Sequence, residues 1–314
     1  MTPIKVGVIG VTGMTGSHVA VELLNRGHQV VGISRNPTKL GQHERYEPRE
    51  VDLKALPIEE IATALKSLDV VVNAYGPHTQ LGEALSYKSF TEVTRKILLA
   101  AKVAEVPYFF MIGGSGIMKV PDSPSLTACE DERFYYAFIR GILDSEAYVK
   151  HAQEWAGEDA ETLSVARQAW MAEKEGRGTA ETRKIIEGAQ GVFDMNGPVV
   201  EFHQGGRLTA MFFHGNTSFK WTFMSTPALY RPGKRTGSYE VCFDYMPLKP
   251  AKGHESEVVL FEGRLHGIAL SDMALAVAEE VESKKHMWKH WCPYVPDLDD
   301  TPGPVYVKIG HVFV

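Results

Sequence analysis

The chain has 314 residues, of which 44% are hydrophobic and 23% charged, and its formal net charge is -6 at pH 7. This is the composition of a globular protein rather than of a disordered, collagen-like or membrane-spanning chain. The excess of acidic residues argues against nucleic acid as a partner, because affinity for nucleic acid depends mainly on lysine and arginine side chains that neutralise phosphates. The length fits either two domains or one large α/β domain with an insertion.

The three cysteines indicate neither a disulfide framework nor a metal site. Cys129, Cys242 and Cys292 lie far apart and form no Cys-x-x-Cys pair, so the usual spacing of a thiolate zinc site is absent. Residues 1–10 lack the basic segment, long apolar core and cleavage site of a signal peptide. No run approaches the ~18 apolar residues of a membrane helix. We therefore expect a cytoplasmic protein that binds no metal and no membrane.

The first third of the chain alternates strand and helix patterns. Short apolar and β-branched runs predict strands at residues 4–9, 28–34, around 51, 70–74 and 108–112. Apolar residues at helical spacing predict helices at 14–26, 57–67 and about 83–104. Helical connections of this length join parallel strands. The sequence therefore predicts an α/β fold with a doubly wound parallel sheet, the Rossmann arrangement.

Beyond residue 130 the pattern becomes rich in helix and then in strand. Helices are predicted at 133–154, 159–174 and 179–189, and alternation around two glycines predicts a β-hairpin from 199–203 and 208–213. Further strands are predicted at 220–224, 239–243 and 258–261, before a helix that Ser271 can cap. We expect a cofactor-binding core at 1–155, followed by an α-rich insertion at 156–218 whose hairpin could form a lid. Residues 219–314 would hold the remaining strands, a small C-terminal substrate region and a tail.

Three glycines at intervals of three, Gly10, Gly13 and Gly16, lie between the first strand and its helix. The diphosphate of a dinucleotide needs close approach to the backbone and free N–H groups at a helix N-terminus, which side chains at these positions would obstruct. A tight turn alone would also use glycine, but the position between strand and helix favours a dinucleotide site. The residues expected to contact the cofactor here are Gly10, Thr12, Gly13, Met14, Thr15 and Gly16.

The end of the second predicted strand indicates which dinucleotide binds. An acidic residue at this position binds the ribose 2'-hydroxyl of NAD, whereas a cation accommodates the 2'-phosphate of NADP. Here Ser34 and Arg35 stand at the strand end with Lys39 close by, and no acid occupies the position. A guanidinium forms charge-assisted hydrogen bonds with phosphate. We therefore expect NADP(H) as the cofactor.

These motifs resemble those of the atypical short-chain dehydrogenase/reductases, in particular the NmrA-like and flavin-reductase-like NAD(P)-binding proteins. The similarity rests on the glycine loop and on residues 34–37, 70–76, 111–116, 221–227, 231–237 and 268–281, and it extends over about 4–155 and 219–283. By this resemblance, Asp52 and Leu53 would border the adenine, and Ala74, Tyr75 and Gly76 would flank the adenosine or ribose. Gly113 would also contact the cofactor, and Ser115 would face the nicotinamide.

The sequence departs from the usual reductase pattern in its catalytic residues. Ordinary short-chain reductases carry a helical Tyr-x-x-x-Lys, in which the lysine lowers the pKa of the tyrosine. Tyr230 and Tyr245 have lysine at that spacing, but each segment contains proline and falls outside the helix expected after the fifth strand. In that helix the nearest match is Tyr136 with Arg140, whose guanidinium could polarise a phenol.

Two further residues are candidates for acid–base chemistry. Ser115 could hydrogen-bond a carbonyl group but could not by itself supply a proton easily, and His203 could enter a substrate cleft as acid or base. The candidate catalytic residues are therefore Ser115, Tyr136 and His203. His286 and His290 have a spacing that could place two metal ligands on one helix face, but a third ligand is absent and a surface tail helix explains them better.

The sequence favours an NADPH-dependent oxidoreductase that transfers hydride to a small, largely apolar carbonyl or conjugated-alkene substrate, with the insertion suggesting specialised metabolism. Two alternatives stay open. One is an NmrA-like redox sensor that holds NADP(H) without turnover, and the other is a non-redox isomerase or dehydratase that uses the same pocket. The expected partner is a small-molecule substrate, and a homo-oligomer stays open as well.

Overall fold

The structure, a computed structural model, describes residues 2–76, 87–156, 161–251 and 260–313. The start of the helix predicted at 83–104 lies outside these ranges, as does the first half of the strand predicted at 258–261. Within the described part, Leu260 and Phe261 form a turn.

The first third has the predicted alternation of strands and helices. Its elements are β1 (Lys5–Ile9), α1 (Met14–Asn25), β2 (Gln29–Ser34), β3 (Tyr46–Glu50), α2 (Ile58–Leu65), β4 (Val70–Asn73), α3 (Tyr87–Val103) and β5 (Phe109–Gly113). The third strand lies just before Val51, the residue around which it is predicted.

The remainder begins with helices and continues with strands. Its elements are β6 (Lys119–Val120), β7 (Ser123–Thr127), α4 (Glu132–Asp144), α5 (Glu146–Ala156), α6 (Glu161–Lys174), α7 (Ala180–Gln190), α8 (Pro198–Ala210), β8 (Trp221–Ser225), β9 (Leu229–Arg231), β10 (Glu240–Phe243), β11 (Gly267–Ala269), α9 (Leu270–Ser283) and β12 (His290–Tyr294).

The main sheet among the described residues has the order β3-β2-β1-β4-β5-β8-β12-β10. Neighbouring strands are parallel except for β10, which is antiparallel to β12 at the edge. The strand order reverses between β1 and β4, and open α/β sheets bind ligands outside the carboxyl ends of their strands at such a switch point. The predicted Rossmann fold is confirmed, and its switch point indicates where to look for a site.

Helices cover both faces of the sheet. Val70 and Val72 of β4 pack in an apolar cluster with residues of α1 and α9, whereas Val71 between them packs in a second cluster with residues of α2 and α3. Strands buried on both faces are continuous apolar runs without alternation. Polar chemistry is therefore left to the segments that follow the carboxyl ends of the strands.

The hairpin predicted at 199–203 and 208–213 is wrong, because residues 198–210 form α8. The helix begins at Pro198, and proline is favoured in the first helical turn. Its buried residues recur at helical rather than strand spacing; they are Val200, Gly205, Thr209 and Ala210. A Cβ at Gly206 would lie 3.8 Å from the side chain of Ile117. Gly206 therefore packs against the segment after β5, and the two glycines lie inside a helix rather than in a turn.

The C-terminal residues contain a strand in place of the expected tail helix. His290 begins β12, which lies between β8 and β10, and both His286 and His290 are buried. Pro293 conceals this strand in the sequence, because proline usually interrupts a sheet. Pro293 faces Val241, and the hydrogen bond from Asp244 N to His290 O (3.1 Å) places the ladder bonds at alternate pairs. The 241–293 pair needs no bond from residue 293, so proline is tolerated there.

The start of α9 is tied to the segment after β9. Ser271 lies inside the helix and does not cap it, and its hydroxyl donates to the carbonyl of Gly233 (3.3 Å). The carboxylate of Asp272 is fully buried and accepts hydrogen bonds from the N–H groups of Thr236 and Gly237 at 2.8–3.0 Å. The Thr236 hydroxyl also donates to it (3.0 Å). This carboxylate therefore holds the segment after β9 against the helix.

We expect Asp272→Asn to lower the free energy of unfolding by about 2 kcal/mol. Hydrogen bonds to a charged acceptor are each worth about 1.5–3 kcal/mol, and the new amide would turn an NH₂ group toward N–H donors. Chemical denaturation measures the change, with Ser283→Ala at an exposed position of the same helix as the control. Equal midpoints for the wild type and Asp272→Asn would contradict this role.

Candidate functional site

The glycine loop lies in close contact with the end of β4. Gly10 has a positive φ of 77°, and a Cβ there would lie 2.7 Å from the carbonyl oxygen of Ala74. A Cβ at Gly16 would lie 2.1 Å from the carbonyl oxygen of Gly10, and the N–H of Gly13 donates to that same oxygen (2.9 Å). These contacts leave no room for side chains at Gly10 and Gly16. The loop is therefore a cradle that only glycine can form.

The N-terminus of α1 opens onto this cradle. Gly13 precedes the helix without a side-chain cap, and the first turn contains no acidic residue. The N–H groups of Met14, Thr15 and Gly16 therefore have no acceptor one turn earlier in the helix, and the helix dipole favours an anion there. Residues 12–15 are only partly buried, so a ligand can reach them. This arrangement fits the diphosphate of a dinucleotide.

The end of β2 lies beside the loop. The hydroxyl of Thr12 donates to that of Ser34 (3.4 Å), which also accepts from the N–H of Asn36 (3.3 Å). Arg35 is exposed and forms no salt bridge within the described part of the chain. Its charge acts on the phenol of Tyr75 at the end of β4. Ser34 and Arg35 therefore stand together at the carboxyl edge, as the sequence predicts.

Asp52 and Leu53 take different positions after β3. Asp52 is exposed, accepts hydrogen bonds from the N–H groups of Lys54 (2.9 Å) and Ala55 (3.3 Å), and acts electrostatically on Tyr75. Leu53 is buried in the cluster with α2 and α3. Asp52 and Arg35 thus both lie near Tyr75, whereas the side chain of Leu53 packs in the core. Their predicted contacts with the adenine stay predictions.

The end of β4 forms the next wall of the crevice. Asn73 is fully buried; its Oδ1 accepts from the N–H of Tyr75 (3.1 Å), and its Nδ2 donates to the sulfur of Met111 (3.2 Å). Tyr75 is partly buried and stacks on Phe90 of α3 at 6.1 Å between ring centroids. Burial raises the pKa of Tyr75. Ala74 is partly buried and Gly76 is exposed, so both are open to a ligand.

Ser115 stands at the carboxyl end of β5. It begins a single helical turn, Ser115–Ile117, and is partly exposed. Gly113 ends the strand, and a Cβ there would lie 2.4 Å from the ring of Phe223 in the neighbouring strand β8. The absence of a side chain at Gly113 therefore makes room for the ring of Phe223. Ser115 lies at the carboxyl edge of the sheet, next to the end of β4.

The pairing predicted between Tyr136 and Arg140 is wrong. Tyr136 is 40% exposed, and its hydroxyl donates to Glu132 one turn earlier, which raises the pKa of the phenol. Arg140 instead pairs with Glu262 (2.9 Å) and lies over the ring of Trp170. Tyr136 thus lies on the outer face of α4 beside an acid, whereas a polarised phenol needs a cation. Its catalytic role stays a prediction without the partner that motivated it.

His203 lies with Tyr135, the residue that precedes Tyr136. Its Nδ1 is 3.1 Å from the hydroxyl of Tyr135, and the two rings are nearly parallel at 5.7 Å. Burial lowers the pKa of His203 to about 4 and raises that of Tyr135. A Cβ at Gly116 would lie 3.6 Å from the Cβ of His203. The structure therefore brings His203 to the turn that begins with Ser115, and adds Tyr135 to the site.

Within the described residues, no group of three or more His, Cys, Asp or Glu side chains could hold a metal ion, and no helix is both long and apolar enough to cross a membrane.

A family profile described as NAD(P)H-binding matches residues 10–186, which is more than half of the chain. This range starts at Gly10 and includes every loop at the carboxyl edge described above as far as the Ser115 turn. The chain belongs to the NAD(P)H-binding family. The NAD(P)-binding family that the sequence motifs predict is thereby confirmed.

Two curated proteins and one solved structure are similar to this chain. The uncharacterised protein YwnB of Bacillus subtilis is 24% identical over 283 residues, which cover 90% of this chain and 94% of YwnB. A 4-hydroxy-tetrahydrodipicolinate reductase of Natronomonas pharaonis is 31% identical over 140 residues, 44% of this chain and 46% of that protein. A Bacteroides thetaiotaomicron protein named provisionally as an epimerase shares the fold with a TM-score of 0.61 and 21% identity, covering 95% of this chain and 100% of its own.

Proposed function

We propose that this NAD(P)H-binding protein is an NADPH-dependent oxidoreductase that reduces a small, largely apolar carbonyl or conjugated-alkene compound. The observation that carries the proposal is the pairing of the glycine cradle with an exposed Arg35 at the end of β2, where no carboxylate stands. A bound NADPH would supply the hydride. The partial match to a reductase of Natronomonas pharaonis supports this choice of reaction class.

Each part of the crevice has a role toward the cofactor. The free N–H groups at the start of α1 would bind the diphosphate, and Arg35 with Ser34 would bind the 2'-phosphate through charge-assisted hydrogen bonds. Lys39, exposed one turn later, adds positive charge. The partly exposed ring of Tyr75 would flank the ribose. None of these groups needs to break a salt bridge within the described residues to do so.

The surroundings of Ser115 favour an apolar substrate. A row of aromatic rings continues from Tyr75, after β4, through Phe90 of α3 to Phe202 and His203 of α8. Aromatic side chains offer apolar area with few rotatable bonds. The Ser115 hydroxyl can hydrogen-bond a carbonyl oxygen at this edge.

We also propose that the protein acts in the cytoplasm on a small molecule.

The redox-sensor alternative rests on the missing Tyr-x-x-x-Lys, since Tyr136 lacks the cationic partner that the sequence offered for it. A sensor would bind NADP(H) equally well and turn nothing over. Cofactor affinity therefore tests the site, and only turnover separates the two functions.

Calorimetric titration with NADPH and then NADH, followed by absorbance at 340 nm with a panel of aldehydes, ketones, enones and quinones, tests the proposal. We expect NADPH to bind roughly 10- to 100-fold more tightly than NADH, because charge-assisted hydrogen bonds to the 2'-phosphate are worth about 1.5–3 kcal/mol. Oxidation of NADPH by a panel member would support the reductase. Equal affinities would contradict the cofactor choice, and tight binding without turnover would favour the sensor.

A further inference from the structure

The hydrogen-bonded pair of Tyr135 and His203 joins the core to the insertion. Tyr135 lies on α4, the first long helix after β5, and is 1% exposed. His203 lies on α8, within the insertion, and is only partly buried. The pair is surrounded by rings: Phe193 stacks on Tyr135 at 5.3 Å, and Phe202 lies 6.0 Å from His203. A phenol and an imidazole in such apolar surroundings must satisfy each other's hydrogen bonds.

The chemistry of the two groups sets the direction of this hydrogen bond. A phenol is a better donor than a neutral imidazole N–H, and an imidazole nitrogen is a better acceptor than a phenol oxygen. The hydroxyl of Tyr135 therefore donates to Nδ1 of His203. The proton of the neutral ring then lies on Nε2, which has no hydrogen-bond partner among the described residues. The fixed tautomer leaves His203 with one N–H group to donate.

The position of α8 brings His203 to the turn that follows the carboxyl end of β5. The Cβ of His203 is 3.6 Å from the place of a Cβ at Gly116, the residue after Ser115. One turn later, Gly206 packs on Ile117 of the same turn. Phe90 of α3 links Tyr75 at the end of β4 to Phe202 of α8. The pair therefore borders the crevice that Ser115, Tyr75 and the glycine loop surround.

We propose that Tyr135 and His203 form the proton-donating site of this protein, with His203 as the catalytic residue and Tyr135 as the residue that positions and reprotonates it. The insertion, through α8, thus supplies what the helical Tyr-x-x-x-Lys supplies in ordinary short-chain reductases. The substrate class is a carbonyl compound whose oxygen approaches Nε2 and the hydroxyl of Ser115. This inference rests on the proposed reductase function.

The proton and electron balance of the step is simple. The hydride that NADPH supplies under the proposed function brings two electrons to the carbonyl carbon, and the C=O π electrons move to oxygen. As the new O–H bond forms, the Nε2–H bond of His203 breaks. Nδ1 takes the hydroxyl proton of Tyr135 as the Nε2–H bond breaks. The proton then returns from Nδ1 to the phenolate while water, which becomes hydroxide, gives a new proton to Nε2. The product is an alcohol, and the protein ends unchanged.

The ring of His203 stays neutral throughout the physiological range, which this step requires. Burial alone lowers its pKa, to about 4. Cys129 acts electrostatically on the phenol of Tyr135, and the Cβ of Cys129 lies 3.1 Å from the place of a Cβ at Gly116. Burial raises the pKa values of both Tyr135 and Cys129, so neither carries charge at neutral pH. A neutral imidazole can donate to a developing oxyanion without first losing a charge.

The tautomer can be measured without cofactor or substrate. In protein labelled with ¹⁵N-histidine, the His203 signals are assigned as those lost in His203→Gln. We expect a neutral ring with its proton on Nε2 down to about pH 5. We also expect Tyr135→Phe, which keeps the aromatic ring but removes the donor, to mix the two tautomers. A proton on Nδ1 in the wild type would overturn the proposal, because Nε2 would then be an acceptor.

Turnover provides the second test. Removing a general acid lowers rates about 10²- to 10⁴-fold, so Tyr135→Phe and His203→Gln should lower kcat at least about 100-fold while KM and the NADPH Kd stay within about twofold. Glu201→Gln, at an exposed position of α8, is the matched control. Normal kcat in both variants, or loss of kcat in Tyr136→Phe alone, would overturn the assignment. If the wild type binds NADPH but reduces nothing, the proposed function fails, while the tautomer measurement still decides whether Nε2 can donate.

Discussion

Replacing Gly16 with alanine is expected to abolish measurable NADPH binding. The new Cβ would lie 2.1 Å from the carbonyl oxygen of Gly10, a backbone atom that cannot rotate away. Overpacking of this kind costs about 1–3 kcal/mol even where side chains can adjust. Either the loop or the start of α1 must move, and the free N–H groups would no longer converge on the diphosphate.

The matched control is Gly188→Ala. Gly188 lies on α7, is exposed, and would have no atom within 4 Å of its new Cβ. Alanine in a helix interior stabilises the fold by roughly 0.5–1 kcal/mol relative to glycine. This variant should therefore bind NADPH normally and unfold at a slightly higher temperature. Calorimetry with NADPH and a thermal melt of both variants test the comparison. Normal binding by Gly16→Ala would mean that the loop is only a tight turn.

The part of the fold that local patterns determine could be predicted from the sequence. Strands β1, β2, β4 and β5 are apolar runs because helices cover both faces of the sheet, and the glycine loop marks the first turn between strand and helix. In residues 199–213 the sequence predicts a hairpin because Gly205 and Gly206 favour a turn by local preference, whereas the structure has α8 there. Their packing against Ile117 and against Thr91 of α3 depends on residues about 90 to 115 positions away, which no local pattern contains. Tertiary contacts therefore determine that these residues form a helix.

The C-terminal strand illustrates the same limit. Pro293 argues against a strand unless its pairing partner is known, and that partner, Val241, is 52 residues earlier in the chain. Pairing in a sheet between distant segments is a property of the whole fold. The sequence predicts that the last part completes the domain, but not that β12 separates β8 from the edge strand β10.

The candidate site divides in the same way. The cofactor residues follow from a local motif, so the structure places Ser34 and Arg35 beside the loop as expected. The choice between Tyr135 and Tyr136 depends on which face of α4 is buried. The sequence holds a signal for this: Glu132 and Arg140 stand one turn on either side of Tyr136, which indicates an exposed stripe at i, i+4 and i+8. Tyr135 then lies on the adjacent, buried face of the helix, where it hydrogen-bonds His203.

Changing Arg35 to aspartate is expected to reverse the cofactor preference. The guanidinium would lose its charge-assisted hydrogen bonds to the 2'-phosphate and leave a carboxylate that repels it, so NADPH should bind at least about 100-fold more weakly. The same carboxylate can bind the ribose 2'-hydroxyl of NADH, whose affinity should hold or rise. Arg45→Asp is the matched control, because Arg45 is exposed and its replacement changes the net charge by the same amount. Arg45 precedes the amino end of β3, and the five residues of that strand separate it from the carboxyl edge of the sheet by about 16 Å. Calorimetry with both nucleotides separates the outcomes. A loss of NADPH affinity in both variants would reflect net charge alone. Unchanged NADPH affinity in Arg35→Asp would mean that the 2'-phosphate binds elsewhere.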